Sequence, residues 1–124
     1  MRVLVVERND EVREVISRIL RLSGAEVDAV DSPADALTSF ARSVPVVLVS
    51  AIDMEGETGY SLLRKVRSLP RDVGGAVPAA ALTGYSRTED RVRALRAGFQ
   101  MSMSKPVQPA ELLAVVASLA DRRR

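Results

Sequence analysis

The sequence predicts an α/β fold, a parallel sheet between two layers of helices. Three observations carry that expectation. Strand-like and helix-like apolar patterns alternate five times within 124 residues. No two strand-like runs are joined by a hairpin signal, so antiparallel pairing is not indicated. The run Val46–Val49 is continuously apolar, mostly β-branched, and bounded by Pro45 and a Gly-containing loop. That is the pattern of a strand buried on both faces.

Each element has its own justification. Arg2–Val6 reads as the first strand. Asn9 or Asp10 can cap the helix that follows, whose stripe is Val12, Val15, Ile16, Ile19 and Leu20. Gly24 ends that helix, and Glu26–Val30 forms a shorter second strand. Ser32, Pro33 and Asp35 supply an N-cap, a proline at the first helical position and an early acid. The second helix is expected to bury Leu37, Phe40 and Ala41. After Val46–Val49, Leu62, Leu63, Val66 and Leu69 mark a third helix, and Pro70–Val77 is a loop containing Gly74 and Gly75. Ala79–Thr83 is a small-residue fourth strand. Ser86 to Glu89 forms a capping box for a helix running through Val92 and Leu95 to Gly98. Phe99–Met103 is the fifth strand, and Pro109 starts a last helix with Leu112, Val115, Val116 and Leu119 inward.

Five such units form an all-parallel sheet through right-handed crossovers. The flavodoxin-like (βα)5 sandwich, with strand order 2-1-3-4-5, suits a chain this short. One domain is expected over residues 1–121, followed by a basic tail at 122–124.

Composition narrows the chemistry. The chain is 47% hydrophobic and 27% charged, as globular domains usually are. It has no Cys, no Trp and no His. Thiolate metal sites, thiol nucleophiles and imidazole bases are therefore out of reach. The longest apolar run, Ala76–Leu82, is too short to cross a bilayer, and charges at Glu7 and Arg8 arrive before signal-peptide length. A cytoplasmic location without a membrane partner is expected. Net charge is +2, much of it in Arg122–Arg124, and two Tyr with two Phe give bases little to stack on. No nucleic-acid partner is expected.

In the order 2-1-3-4-5 the ends of the first and third strands lie side by side where the strand order reverses, which is where open α/β sheets bind ligands. Glu7 and Arg8 would then sit beside Ser50, Ala51 and Asp53. The loop carries further acids at Glu55 and Glu57, read as solvated.

Over nearly the whole chain these residues resemble the receiver domain of bacterial response regulators. The resemblance rests on Val3–Glu7, Val47–Ser50, Gly59-Tyr60, Ala81-Leu82-Thr83, and Ala97-Gly98 through Lys105-Pro106. It implies an acid pair for Mg²⁺ ending the first strand and a phosphoacceptor Asp ending the third. It also implies a hydroxyl ending the fourth strand and a lysine, before a cis proline, ending the fifth. Carried onto this sequence, the acid pair becomes Glu7 and Arg8, and the acceptor becomes Ala51. Thr83 and Lys105 persist, and the usual aromatic three residues before the lysine is Ser102.

Glu7, Arg8 and Lys105 sum to +1, or to zero with Asp53, where three carboxylates and one lysine would give −2. A guanidinium ~4 Å from an incoming dication costs on the order of several kcal/mol at an effective dielectric near 20. Mg²⁺ binding is expected to be lost, leaving no cofactor. Arg8 is expected to bridge to Glu7 or Asp53, and Lys105 to pair with one of the same acids.

The expected role is a degenerate receiver in two-component signalling, independent of phosphorylation. It would contact a histidine kinase or an output partner, or dimerise through the fourth helix, fifth strand and fifth helix. Arg91, Arg93 and Arg96 would decorate that face, and Ser102 would leave a hollow in it. The alternatives are an active phosphoreceiver using Asp53, and a small-anion-binding module built on Thr83, Lys105 and Arg8. No other nucleophile–base pair occurs in the chain, so an independent enzyme is not expected.

Overall fold

The computed structural model describes residues 1–54, 56–84 and 88–122. Its elements are β1 (Arg2–Val6), α1 (Asp10–Leu22), β2 (Glu26–Val30), α2 (Pro33–Arg42), β3 (Val47–Ala51), α3 (Gly59–Arg67), β4 (Ala79–Thr83), α4 (Thr88–Ala97), β5 (Met101–Ser104) and α5 (Pro109–Asp121). The sheet is wholly parallel in the order β2-β1-β3-β4-β5, as expected. Crossover helices cover both faces, so β3 and β4 are buried along their full length.

Local chemistry sets several boundaries. Asn9 Oδ1 accepts from the Val12 amide at 3.0 Å, and Ser32 Oγ accepts from the Asp35 amide at 3.1 Å. Both are side-chain N-caps satisfying amides that the helix cannot. The proposed cap at Ser86 lies outside the described residues. β3 runs two residues further than the apolar run suggested, because Ser50 and Ala51 stay in the ladder opposite Ala81 and Leu82. β5 starts later than Phe99. The Gly98 amide donates to Leu95 O and the Phe99 amide to Ala94 O, so Phe99 closes α4 although its ring is buried. The expected loop at 70–77 contains a 3₁₀ turn, Arg71–Val73, which Gly74 closes at φ +105°.

Three stripes are phased differently from expectation. Val15 on α1 is 52% exposed. On α2, Ala36 and Ser39 are buried beside Phe40 and Ala41 is exposed, because Pro33, Ala36 and Phe40 define the inward side. On α4, Val92 and Leu95 face out while Ala94 and Ala97 face in. Among the described residues no helix is long and apolar enough to cross a membrane.

Candidate functional site

The strand order reverses between β1 and β3, and the residues leaving their C-terminal ends form the crevice floor. Glu7 continues the ladder beyond β1, its amide donating to Val30 O at 3.0 Å. That pairing turns the carboxylate inward, where Glu7 is only 1% exposed. Its Oε1 forms an ion pair with Lys105 Nζ, and its Oε2 accepts a long contact from the Asn9 amide at 3.4 Å.

Lys105 leaves β5 with its amide donating to Thr83 O at 2.8 Å and precedes Pro106 through a cis bond. β3 and β4 lie between β1 and β5, so the Lys105–Glu7 pair reaches across their C-terminal ends. A buried carboxylate needs such a partner, since an unpaired buried charge is costly.

Ala51 ends β3 fully buried, and Thr83 ends β4 buried. The start of α3 returns to the end of β3. The Gly59 amide donates to Ile52 O at 2.8 Å, and a Cβ on Gly59 would lie 2.1 Å from Ala51 O. Only glycine lets α3 start so close to the end of β3. Thr58 Oγ1 then caps α3 by accepting from the Ser61 amide at 3.2 Å. Glu57 accepts from Lys65 at 2.7 Å and from Ser61 at 2.8 Å, which hold its carboxyl below the usual value.

Arg8 does not make the expected bridge. It is exposed, and among the described residues its guanidinium has no ion-pair or hydrogen-bond partner. Lys105 already occupies Glu7, and Arg13 holds the β1–α1 turn from the other side. Arg13 Nη1 donates to Glu7 O at 2.9 Å, and its Nη2 pairs with Asp10 at 2.6 Å. Asp53 is exposed on the loop, without a hydrogen-bond or ion-pair partner among the described residues. Glu7 and Lys105 are therefore brought together, with Ala51 and Thr83 on the strands between them. Arg8 and Asp53 remain at the solvent edge.

On the far side, Arg91 and Ser102 line a hollow of about 320 Å³ between α4 and β5, with Ala94, Leu95, Gln100 and Met101. Arg96 is exposed. Arg93 leaves that face: its guanidinium lies over the Tyr60 ring of α3, 4.4 Å from the centroid. Burial raises the Tyr60 hydroxyl pKa, with Arg93 pulling it back down and Asp90 and Asp53 adding to the rise. Sequence reading gave no contact role to Arg13, Tyr60 or Arg67. Arg13 at i+3 from Asp10 carried a usable signal. Arg67 carried none beside Arg64 and Lys65, because only its half-burial sets it apart.

The response regulator receiver domain model matches residues 3–117. An uncharacterized 14.6 kDa protein in the sodA1 3′ region of Leptolyngbya boryana is 40% identical, over 94% of this chain and 87% of its own length. The transcriptional regulatory protein PrrA of Mycobacterium tuberculosis is 38% identical over 98% of this chain and 51% of the regulator. The chain thus spans about half the length of that regulator. A putative response regulator from Chloroflexus aurantiacus superposes with a TM-score of 0.92 at 28% identity, covering 98% of both chains. The chemotaxis protein CheY4 of Vibrio cholerae, 24% identical, shares the fold with a TM-score of 0.88 over 95% of this chain and 97% of its own.

Proposed function

We propose that this chain, which belongs to the response regulator receiver domain family, takes up no phosphoryl group and signals by contact with other proteins. The observation that carries this reading is Ala51, fully buried at the end of β3 where the family resemblance puts the acceptor. A methyl group is no nucleophile, and phosphoryl transfer also needs cations to neutralise the moving charge.

The donors at this edge do not suit Mg²⁺, which prefers octahedral oxygen ligation through carboxylates and retained waters. Glu7 is the one buried carboxylate among the described residues, and its Oε1 is committed to Lys105. Asp53 stands in solvent and Arg8 contributes a cation. Among the described residues no three acidic, His or Cys side chains cluster as ligands. Metal-assisted transfer therefore has no support from these side chains.

The contact surface in this reading is the α4–β5–α5 face with its hollow at Ser102, and the partner is a histidine kinase or an output protein. Incubating the protein with acetyl phosphate and Mg²⁺, then measuring intact mass, is the direct test. The expected result is no adduct of ~80 Da, the mass of one phosphoryl group. A base-labile adduct mapping to Asp53 would overturn the reading.

A further inference from the structure

α4 buries no large side chain. Its inward residues are Ala94 and Ala97, while Val92 is 39% and Leu95 59% exposed. A helix with so little apolar area to bury is held weakly by the hydrophobic effect, which scales with that area. Two arginines supply other attachments, and they run in opposite directions between the same pair of helices.

Arg93 projects from α4 onto Tyr60 near the start of α3. Tyr60 is itself 4% exposed, so the ring is a fixed platform. Arg67 projects from the end of α3 to the end of α4, donating to Gly98 O from Nε at 3.1 Å and from Nη2 at 2.7 Å. The same guanidinium donates to Gly75 O at 3.0 Å and to Gln100 Oε1 at 3.3 Å. Gln100 Oε1 in turn accepts from the Ala79 amide at 2.8 Å, so the α4 end, the start of β5 and the approach to β4 meet at one side chain. A Cβ on Gly98 would fall 2.9 Å from Arg67 Nε, and Gly98 also sits at φ +113°. The sequence therefore supplies the one residue that tolerates both.

We propose that this reciprocal pair of arginine contacts bolts the middle and the C-terminal end of α4 to the two ends of α3, so that the α4–β5 face is presented in a single arrangement. This rests on the reading of the chain as a contact-signalling receiver and names how that face is kept ready. Two alanines bury little area to resist a shift of the helix; the two arginine contacts add directional restraint at its middle and its C-terminal end. Neither arginine contact uses the Glu7–Lys105 ion pair.

Amide hydrogen exchange at Val92, Ala94 and Leu95 tests the bolt in the protein without any phosphodonor. Arg93→Leu is expected to speed exchange there about two- to fivefold, the scale of an exposed cation–π contact. Tyr60→Leu is expected to do the same, and the double variant no more than either single one, because partners in one contact are non-additive. Arg93→Lys, which keeps a cation over the ring, is expected to restore part of the protection. Unchanged exchange in Arg93→Leu, or additive effects in the double variant, would overturn the proposal. If Tyr60→Leu fails to fold, the Arg93→Leu and Arg93→Lys pair still decides it. The outcome is separate from the mass measurement: loss of the bolt leaves the phosphoryl reading standing, and an adduct on Asp53 leaves the bolt standing.

Discussion

α4 and α5 both pack beside β5, and they are held there by different forces. α5 turns Leu112, Val115, Val116 and Leu119 into the core, two of them with no exposure at all. α4 turns in only Ala94 and Ala97 and leaves its largest apolar side chains in solvent. The first helix is anchored by area removed from water, a non-directional force that tolerates repacking. The second is contacted by Arg93 on Tyr60 and Arg67 on Gly98, which are directional where burial is not. The outer side of α4 consequently leaves Arg91, Val92, Leu95 and Arg96 exposed.

The comparison is broken most severely by truncating each helix at its largest apolar residue. Leu119→Ala in α5 removes a fully buried side chain and is expected to cost about 2–5 kcal/mol, transfer and cavity terms together. Leu95→Ala in α4 is expected to stay within about 0.5 kcal/mol of the parent, as exposed substitutions do. Urea unfolding of the two variants measures both. Similar midpoints would mean that α4 is packed like α5 after all.

These two leucines also show what the sequence made legible. Leu119 belongs to an i, i+3, i+4, i+7 set of the helix's large side chains, and only Leu113 among its leucines and valines lies off that set, so its burial could be read directly. Leu95 sits with Val92 on a helix whose true inward residues are alanines, and a rule that turns the larger side chains inward picks the wrong side. Strand order was legible because unbroken apolar runs, short loops and right-handed crossovers leave few topologies. The crevice was legible only in part. Glu7, Ala51, Thr83 and Lys105 stand at strand ends and follow from register. Which cation meets Glu7 depends on reach across the sheet edge, and the ion pair goes to Lys105 from β5, not to the adjacent Arg8. Arg67 was invisible for the same reason, since its acceptors lie 8 to 33 residues away.

A smaller effect sharpens the account of α4. Arg67 is half-buried, and burial pulls its guanidinium pKa below the usual arginine value. Arg67→Met keeps much of the stem and removes the donors to Gly98 O, Gly75 O and Gln100 Oε1. The expected cost is about 1–3 kcal/mol, the range for charged hydrogen bonds and the acceptors they leave behind. Thermal unfolding measures the loss, and amide exchange at Gly98 and Phe99 should rise with it. A loss under about 0.5 kcal/mol, the level of an ordinary surface change, would mean that the Gly98 closure holds without the arginine.

The smallest effect comes from a charged contact of the same chemical kind placed in solvent. Glu57 pairs with Lys65 at 2.7 Å, with side chains 27% and 54% exposed. Its carboxyl is held below the ordinary value chiefly by the Lys65 hydrogen bond and then by Ser61. It also lies next to the Thr58 cap, where a negative charge favours the N-terminal end of α3. A carboxyl whose pKa falls on folding contributes stability above its unfolded value, about 4.3, and loses it as pH drops through the folded value. Glu57→Gln is therefore expected to cost about a few tenths of a kcal/mol at pH 7, the scale of an exposed pair. The gap should be smaller at a pH below that unfolded value than at pH 7, and added salt should narrow it at pH 7. Paired urea titrations at the two pH values read this out. If the gap persists undiminished at low pH and in high salt, the charge of Glu57 is not its source.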